Sequence, residues 1–249
     1  MSHLSGLSAF PITPSDGSGR VDADAIRQLV ARLVAAKVDS IGLLGSTGTY
    51  MYLNRQERRR ALETALDEAA DRVPLIAGVG TLRTDETVAL AADALAAGAA
   101  AGLLSAVSYT PLTDNEVFKH FSTVARESRL PIVIYDNPGT THFRLTSNLV
   151  GRLAGVPGIV GIKNPTEGAE QDARHLAIQR AAVPEGFSIG CSADWNCAEA
   201  MIAGADVWYS VLGGLFPKAC LGIVRAAQRG DAAEARRLDA ALAPMWGLF

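Results

Sequence analysis

Short apolar runs alternate along the chain with longer amphipathic stretches rich in Ala and Arg. Eight runs have the length and apolar continuity of buried strands: 6–12, 39–45, 74–80, 100–106, 130–136, 158–163, 187–192 and 206–212. Between them, apolar positions recur at helical spacing over 22–36, 54–71, 84–97, 113–128, 146–154, 167–182, 194–203 and 215–229, and one further helix is predicted over 231–247. Asp22, Asn54, Thr84, Thr113 and Thr146 stand where N-caps belong. Pro74, Pro131 and Pro157 come just before strands, where a missing N–H costs little.

Strands that are apolar throughout suit a parallel sheet covered on both faces. Eight strands alternating with eight helices predict an α/β fold, a (β/α)8 TIM barrel, over residues 1–225. Residues 226–249 would begin a short C-terminal helical extension. An open, doubly wound sheet is the competing arrangement, because alternation does not demonstrate closure. The stretches 96–104 and 203–211 support repetition, since each leads from a helix end through Gly into a strand.

Composition narrows the function classes. The 249 residues are 49% hydrophobic, enough for one large core, and the net charge of -3 comes from scattered charges of both signs. Without a basic stripe, nucleic acid is not an expected partner. No apolar run approaches the roughly 20 residues that span a bilayer, so no membrane is expected either. The first residues lack the basic region and apolar core of a secretory signal. Cys191, Cys197 and Cys220 form no C-x-x-C pair, consistent with a reduced, cytoplasmic protein. His3, His120, His142 and His175 are dispersed, without metal-ligand spacing.

In a barrel of this kind, function sits at the C-terminal ends of the strands. The polar residues expected there are Ser46, Thr47, Ser108, Tyr109, Tyr135, Asp136, Lys163, Asp194 and Ser210. Lys163 is the anomaly, an amine closing an apolar run. Alternation puts Ile159, Gly161 and Lys163 on one side of their strand, and Val133 and Tyr135 on one side of the preceding strand. Tyr135 and Lys163 are thus expected in one pocket, with Gly161 leaving room for the lysine stem. Desolvation disfavours an ammonium there, and a neutral amine attacks carbonyl carbon to give an imine. Imine chemistry needs proton relays, which Tyr135, Ser46, Thr47 and Tyr109 could supply. The turn 45–49 offers backbone N–H groups as a nest for a carboxylate. Asp194 is either a polar strand-end group or an N-cap for a helix starting near Trp195, and the arginines of 55–60 read as a solvated helix face.

Residues 42–59, 132–143 and 158–166 resemble, in order and spacing, the G-[ST]-T-G-E, Y-N-x-P and G-[IV]-K motifs of the dihydrodipicolinate synthase/N-acetylneuraminate lyase family. The likeness extends from about Leu7 to Phe249. It implies a TIM barrel, commonly homotetrameric, and a class I aldolase that binds pyruvate or another 2-oxo acid as a lysine Schiff base without a cofactor. It implies Lys163 as the Schiff-base lysine, Tyr135 as proton relay, and Ser46 and Thr47 as the carboxylate grip, one of them also in the relay. Tyr109 would enter the neighbouring subunit's relay, making a dimer or tetramer the expected state, and Ser210 would line the pocket.

Several positions depart from the family pattern. Thr49 replaces a glutamate, Asp136 an asparagine, Asn164-Pro165 an acidic-small pair, and Tyr209 a smaller aliphatic residue. Thr140 stands where dihydrodipicolinate synthases carry the arginine for the second substrate's carboxylate. The expected activity is therefore a lyase joining or cleaving a 2-oxo acid and an aldehyde, with an acceptor other than aspartate semialdehyde. The alternatives are a dehydratase or hydratase of a hydroxy-2-oxo acid through the same imine, and a non-catalytic 2-oxo acid-binding paralogue.

Overall fold

A computed structural model describes residues 4–248; His3 and the outermost ends of the two expected segments lie outside them. Eight parallel strands close in sequence order: β1 (Gly6–Ala9), β2 (Ser40–Leu43), β3 (Leu75–Gly78), β4 (Ala101–Ser105), β5 (Ile132–Tyr135), β6 (Ile159–Asn164), β7 (Ser188–Cys191) and β8 (Val207–Ser210), with β8 pairing back onto β1. This is the TIM barrel, and closure removes the open-sheet alternative.

Helices α1 (Ala23–Ala36), α2 (Arg55–Ala69), α3 (Thr84–Ala97) and α4 (Asp114–Ser128) follow the first four strands. A short α5 (Pro138–Thr141) and then α6 (Ser147–Ala154) follow β5, and α7 (Ala169–Ala182) follows β6. α8 (Cys197–Ile202) follows β7 after a 3-10 turn at Asp194–Asn196. The helix expected over 215–229 is α10 (Pro217–Gln228), opened by Pro217, and a short α9 (Val211–Leu215) before it takes the end of the segment expected as a strand over 206–212. The helix expected over 231–247 is two, α11 (Ala232–Ala240) and α12 (Ala243–Trp246), parted before Pro244. α10 runs through the expected boundary at residues 225 and 226.

Local signals account for the helix starts. Asp22, Asn54, Thr113 and Thr146 each accept a backbone N–H three residues on, worth about 1 kcal/mol apiece. Thr84 does not; Arg83 is the capping position, and the Thr84 hydroxyl is bonded instead to His120 Nδ1 at 2.9 Å.

Alternation along the strands sorts two cores. Ile41, Leu75, Leu104, Ile134, Ile162 and Trp208 face the helices. Phe10, Ile76, Leu103, Val133, Val207 and Tyr209 fill the barrel itself. One correction concerns β6. Ile132 pairs with Ile159 but Val133 pairs with Gly161, so Val160 is an extra residue, a β-bulge. Ile159 consequently faces the helices and Val160 turns into the barrel, the reverse of simple alternation. Beyond the bulge the count resumes, and Lys163 still points inward. Gly161 is needed for a different reason from the one expected: a Cβ there would lie 2.8 Å from the Ser188 carbonyl oxygen of β7. No helix among the described residues is long and apolar enough to cross a membrane.

Candidate active site

Lys163 sits near the C-terminal end of β6, directly opposite Tyr135 in the β5–β6 ladder. The residue is only 5% exposed. Its Nζ lies 4.3 Å from the centroid of the Phe10 ring, 4.3 Å from that of Tyr135 and 5.9 Å from that of Tyr209. Phe10 and Tyr209 meet edge to face at 5.9 Å. Both rings depend on glycines of adjacent strands, since a Cβ on Gly42 would collide with Phe10 and one on Gly190 with Tyr209. The bulky Tyr209 seen in the sequence is thus one wall of the lysine's chamber.

The flank of Lys163 is held by an amide pair. Asn164 Nδ2 donates to Gln179 Oε1 at 2.8 Å and Gln179 Nε2 returns to Asn164 Oδ1 at 3.0 Å, both residues being buried. This pair ties the end of β6 to α7 and gives Asn164 its role.

Beside this chamber opens a cavity of about 240 Å³, lined by Ser46, Thr49, Tyr50, Ser105, Asn137 and Thr140 among others. Asn137 Nδ2 donates to the Tyr135 hydroxyl at 3.0 Å and to Thr140 Oγ1 at 2.9 Å, so Tyr135 links lysine and cavity. Ser105 is the ladder partner of Tyr135 on β4, and its Oγ lies 3.2 Å from the Tyr50 hydroxyl. Among the described residues, no lysine, arginine or histidine lines this cavity.

The turn carrying Ser46 and Thr47 has an identifiable cause. Leu44 adopts φ 58°, a left-handed conformation that costs a branched residue roughly 1–2 kcal/mol. It is accommodated because Gly78 has no Cβ to collide with the Leu44 carbonyl. Thr49 N–H donates to the Ser46 carbonyl at 3.0 Å and closes the turn. Ser46 faces the cavity, and Thr47 is half-buried beside it.

Two predicted site residues lie elsewhere. Ser210 points away from the lysine: its hydroxyl accepts the Gly213 N–H at 2.7 Å and touches the Cys220 sulfur of α10. The reason is strand parity, because Val207 and Tyr209 take the inward positions of β8. Tyr109 is 94% exposed in the single chain, away from Lys163. Asp194 is neither an N-cap for its own turn nor a pocket group. Its carboxylate accepts Trp208 Nε1 at 2.8 Å and the Leu212 N–H at 2.6 Å, fixing the passage from β8 into α9. Burial raises its pKa.

Sequence reasoning also missed Arg58 and Tyr50. Arg58 is not solvated: it is 7% exposed and donates to the Leu53 carbonyl at 3.1 Å and the Gly80 carbonyl at 2.9 Å. Its guanidinium stacks 5.0 Å from the Tyr50 ring centroid. The signal in the sequence was helical phase, since Arg58 falls on the same face as Ala61, Leu62 and Ala65.

Asp136 follows Tyr135 on the opposite face and is 3% exposed; the Leu145 N–H donates to it at 3.4 Å. Burial pushes its carboxyl up to about 6. The folded protein therefore holds this proton more tightly than the unfolded chain does. The stabilisation is present in full below about pH 4 and is lost as pH rises through 6, on the order of 3 kcal/mol. Asp136→Asn keeps the acceptor and removes the charge. It should raise the melting temperature by several degrees at pH 8 and by little at pH 4. Equal melting of the two proteins at pH 8 would refute the buried-charge account.

Comparison with known proteins places this geometry. The model of the dihydrodipicolinate synthetase family matches residues 3–248. The chain belongs to that family. It is thereby a lyase of the class I aldolase superfamily. The family chain is 36% identical over 232 residues to a 4-hydroxy-tetrahydrodipicolinate synthase of Methylococcus capsulatus, a match covering 92% of this chain and 78% of the relative. A crystal structure of a dihydrodipicolinate synthase from Agrobacterium tumefaciens superposes with a TM-score of 0.97 at 54% identity, over 100% of this chain and 84% of that one. A chloride-inhibited dihydrodipicolinate synthase from Acinetobacter baumannii, solved in complex with pyruvate, superposes with a TM-score of 0.91 at 28% identity, over 98% of this chain and 82% of that one.

Proposed function

We propose that this family member is a Schiff-base lyase in which Lys163 carries pyruvate or a close 2-oxo acid. The observation that carries this reading is the seat of the Lys163 amine, buried among three aromatic rings and paired across the ladder with Tyr135. The pyruvate bound to the Acinetobacter baumannii relative points the same way.

In the proposed cycle, the neutral amine attacks the keto carbon and the carbonyl oxygen takes up a proton. The C–O bond then breaks, and water leaves an iminium on Lys163. Ser46 and Thr47 hold the acid's carboxylate. Loss of a C3 proton through Tyr135 gives the enamine, whose carbon attacks the aldehyde; cleavage is the reverse. Tyr109, so exposed in the single chain, suits a contact in a cytoplasmic homo-oligomer, a dimer or tetramer.

The acceptor follows from the cavity wall. Among the described residues its polar lining is hydroxyls and one amide, with no cation, and Thr140 is already bonded to Asn137. An acceptor aldehyde bearing a carboxylate has no charge partner there, whereas a neutral hydroxyaldehyde finds hydrogen-bonding groups. The test is borohydride trapping with pyruvate, then a condensation screen. Labelling at Lys163, with kcat/KM for glyceraldehyde at least about tenfold above that for aspartate semialdehyde, is the expected result. A preference for aspartate semialdehyde would overturn the acceptor assignment. Failure of a panel of 2-oxo acids to label Lys163 would overturn the mechanism. Water addition or loss from a hydroxy-2-oxo acid, without C–C cleavage, would identify the dehydratase chemistry instead.

A further inference from the structure

Three aromatic rings surround the Lys163 amine, and only Tyr135 among them has a part in the cycle above. We propose that Phe10 is a further catalytic residue: the face of its ring carries part of the positive charge that develops on Lys163 Nζ as the iminium forms. The inference rests on the Schiff-base reading of Lys163 and adds to it the group that stabilises the cationic nitrogen.

A cation formed inside a barrel needs either a counter-charge or an electron-rich face. Among the ion pairs of the described residues, none includes Lys163. Asp194 feels its charge, but that carboxylate is already bonded to Trp208 Nε1 and the Leu212 N–H. Ring faces take the place of a counter-ion. Nζ lies over the Phe10 ring at 4.3 Å from its centroid, inside the roughly 6 Å over which a ring attracts a cation appreciably. Phe10 follows β1 and Tyr135 ends β5, strands that stand opposite one another in the closed eight-strand order. The two rings therefore flank the nitrogen from opposite walls.

The Phe10 ring is held in one place. Its N–H donates to the Ser210 carbonyl at 2.8 Å, which fixes the backbone. Gly42 of β2 leaves the ring its slot, and a Cβ on Gly45 would come within 3.0 Å of Phe10 Cδ1. Tyr209 meets the ring at an interplanar angle of 76°. The residue is 2% exposed, so water does little to screen its interaction with the nitrogen. Tyr209 lies farther from Nζ, at 5.9 Å, and serves to hold Phe10. Phe10 has no proton to exchange, so its action on the nitrogen is electrostatic alone.

The step that Phe10 assists is the loss of water from the first adduct. The nitrogen lone pair becomes the C=N bond, and the C–O bond breaks with its electrons on oxygen. That oxygen takes a proton from Tyr135 and leaves as water, and the nitrogen becomes positive. Nothing is oxidised or reduced. A ring face favours the nitrogen only while it is charged. It gives no help to the attack of the neutral amine; it lowers the energy of the charged state that follows. A reaction that starts from the ammonium form has a charged nitrogen at both ends, and the stabilisation cancels. A reaction that starts from the neutral amine shows all of it in the rate.

The test replaces Phe10 by its mono-, di- and trifluorinated analogues, which keep the shape of the ring and progressively drain its face of negative charge. Lys163 is trapped with borohydride at intervals after mixing with saturating pyruvate, over a range of pH. Tyr135, Tyr209 and Asp194 are the titratable groups around the amine, and all three stay in place throughout. On the alkaline limb of the profile, where Lys163 enters as the neutral amine, each fluorine should slow trapping about two- to threefold. On the acid limb, where it enters as ammonium, rates should stay within about twofold of the native ring's. Phe10→Leu, apolar but without a ring face, should lose at least about tenfold on the alkaline limb alone. The monofluorinated ring is nearly isosteric with the native one and keeps the test decisive where heavier substitution disturbs the packing. Alkaline-limb rates within about twofold of wild type in the whole series overturn the proposal and leave the imine standing. Equal losses on both limbs also overturn it, by showing a packing role. Absence of labelling in the wild type instead removes the Schiff-base reading on which the proposal rests.

Discussion

Lys163→Ala should end borohydride labelling with pyruvate and lower turnover by at least about four orders of magnitude. The proposed covalent catalysis by the Lys163 amine has no substitute among the other lysines. The other lysines, Lys37, Lys119 and Lys218, are exposed at the end of α1, in α4 and in α10. None reaches the barrel interior, so no neighbouring amine can take over the imine. An effect of that size corresponds to about 5.5 kcal/mol of transition-state stabilisation. Lys163→Arg is the companion variant. A guanidinium fills much of the same space and stays charged, so it packs among the rings but cannot form the imine. Turnover in either variant within about a hundredfold of wild type would place the chemistry at another group.

Tyr135→Phe is expected to lower kcat by about two to three orders of magnitude with little change in KM. The ring, 4.3 Å from Nζ, survives the substitution; the hydroxyl that Asn137 supports does not. The proposed substrate contacts of ring and lysine would therefore persist, while the proposed first proton carrier is gone. Labelling should still reach its full extent, only more slowly. A KM effect without a kcat effect would mean that the hydroxyl binds substrate and moves no proton.

The alternation of eight apolar runs with amphipathic stretches is local information, and it carried directly into the barrel's eight strands and the helices between them. The four N-caps whose side chains bond within three residues were equally legible. Tyr135 and Lys163 could be placed in one pocket because parity on short strands needs only counting, and because the bulge at Val160 falls before the lysine. Ser210 shows the limit of that count. Alternation says that Tyr209 and Ser210 face opposite ways, but which one faces the barrel depends on registry with β1 and β7.

The remaining site groups lie beyond local pattern altogether. Arg58 is buried because the Leu53 and Gly80 carbonyls and the Tyr50 ring converge on it. Gln179 meets Asn164 across fifteen residues, and Asp194 reaches Trp208 and Leu212 of a later strand and helix. Tyr50 meets Ser105 only once β4 is docked beside the loop after β2. Thus the sequence by itself determined the order of elements, the inward lysine and its phenol partner, because hydrophobic periodicity acts over a few residues. The tertiary structure alone decided which hydroxyls pair with one another and which polar groups are buried. Those contacts join residues far apart in the chain, and only barrel closure brings them within hydrogen-bonding distance.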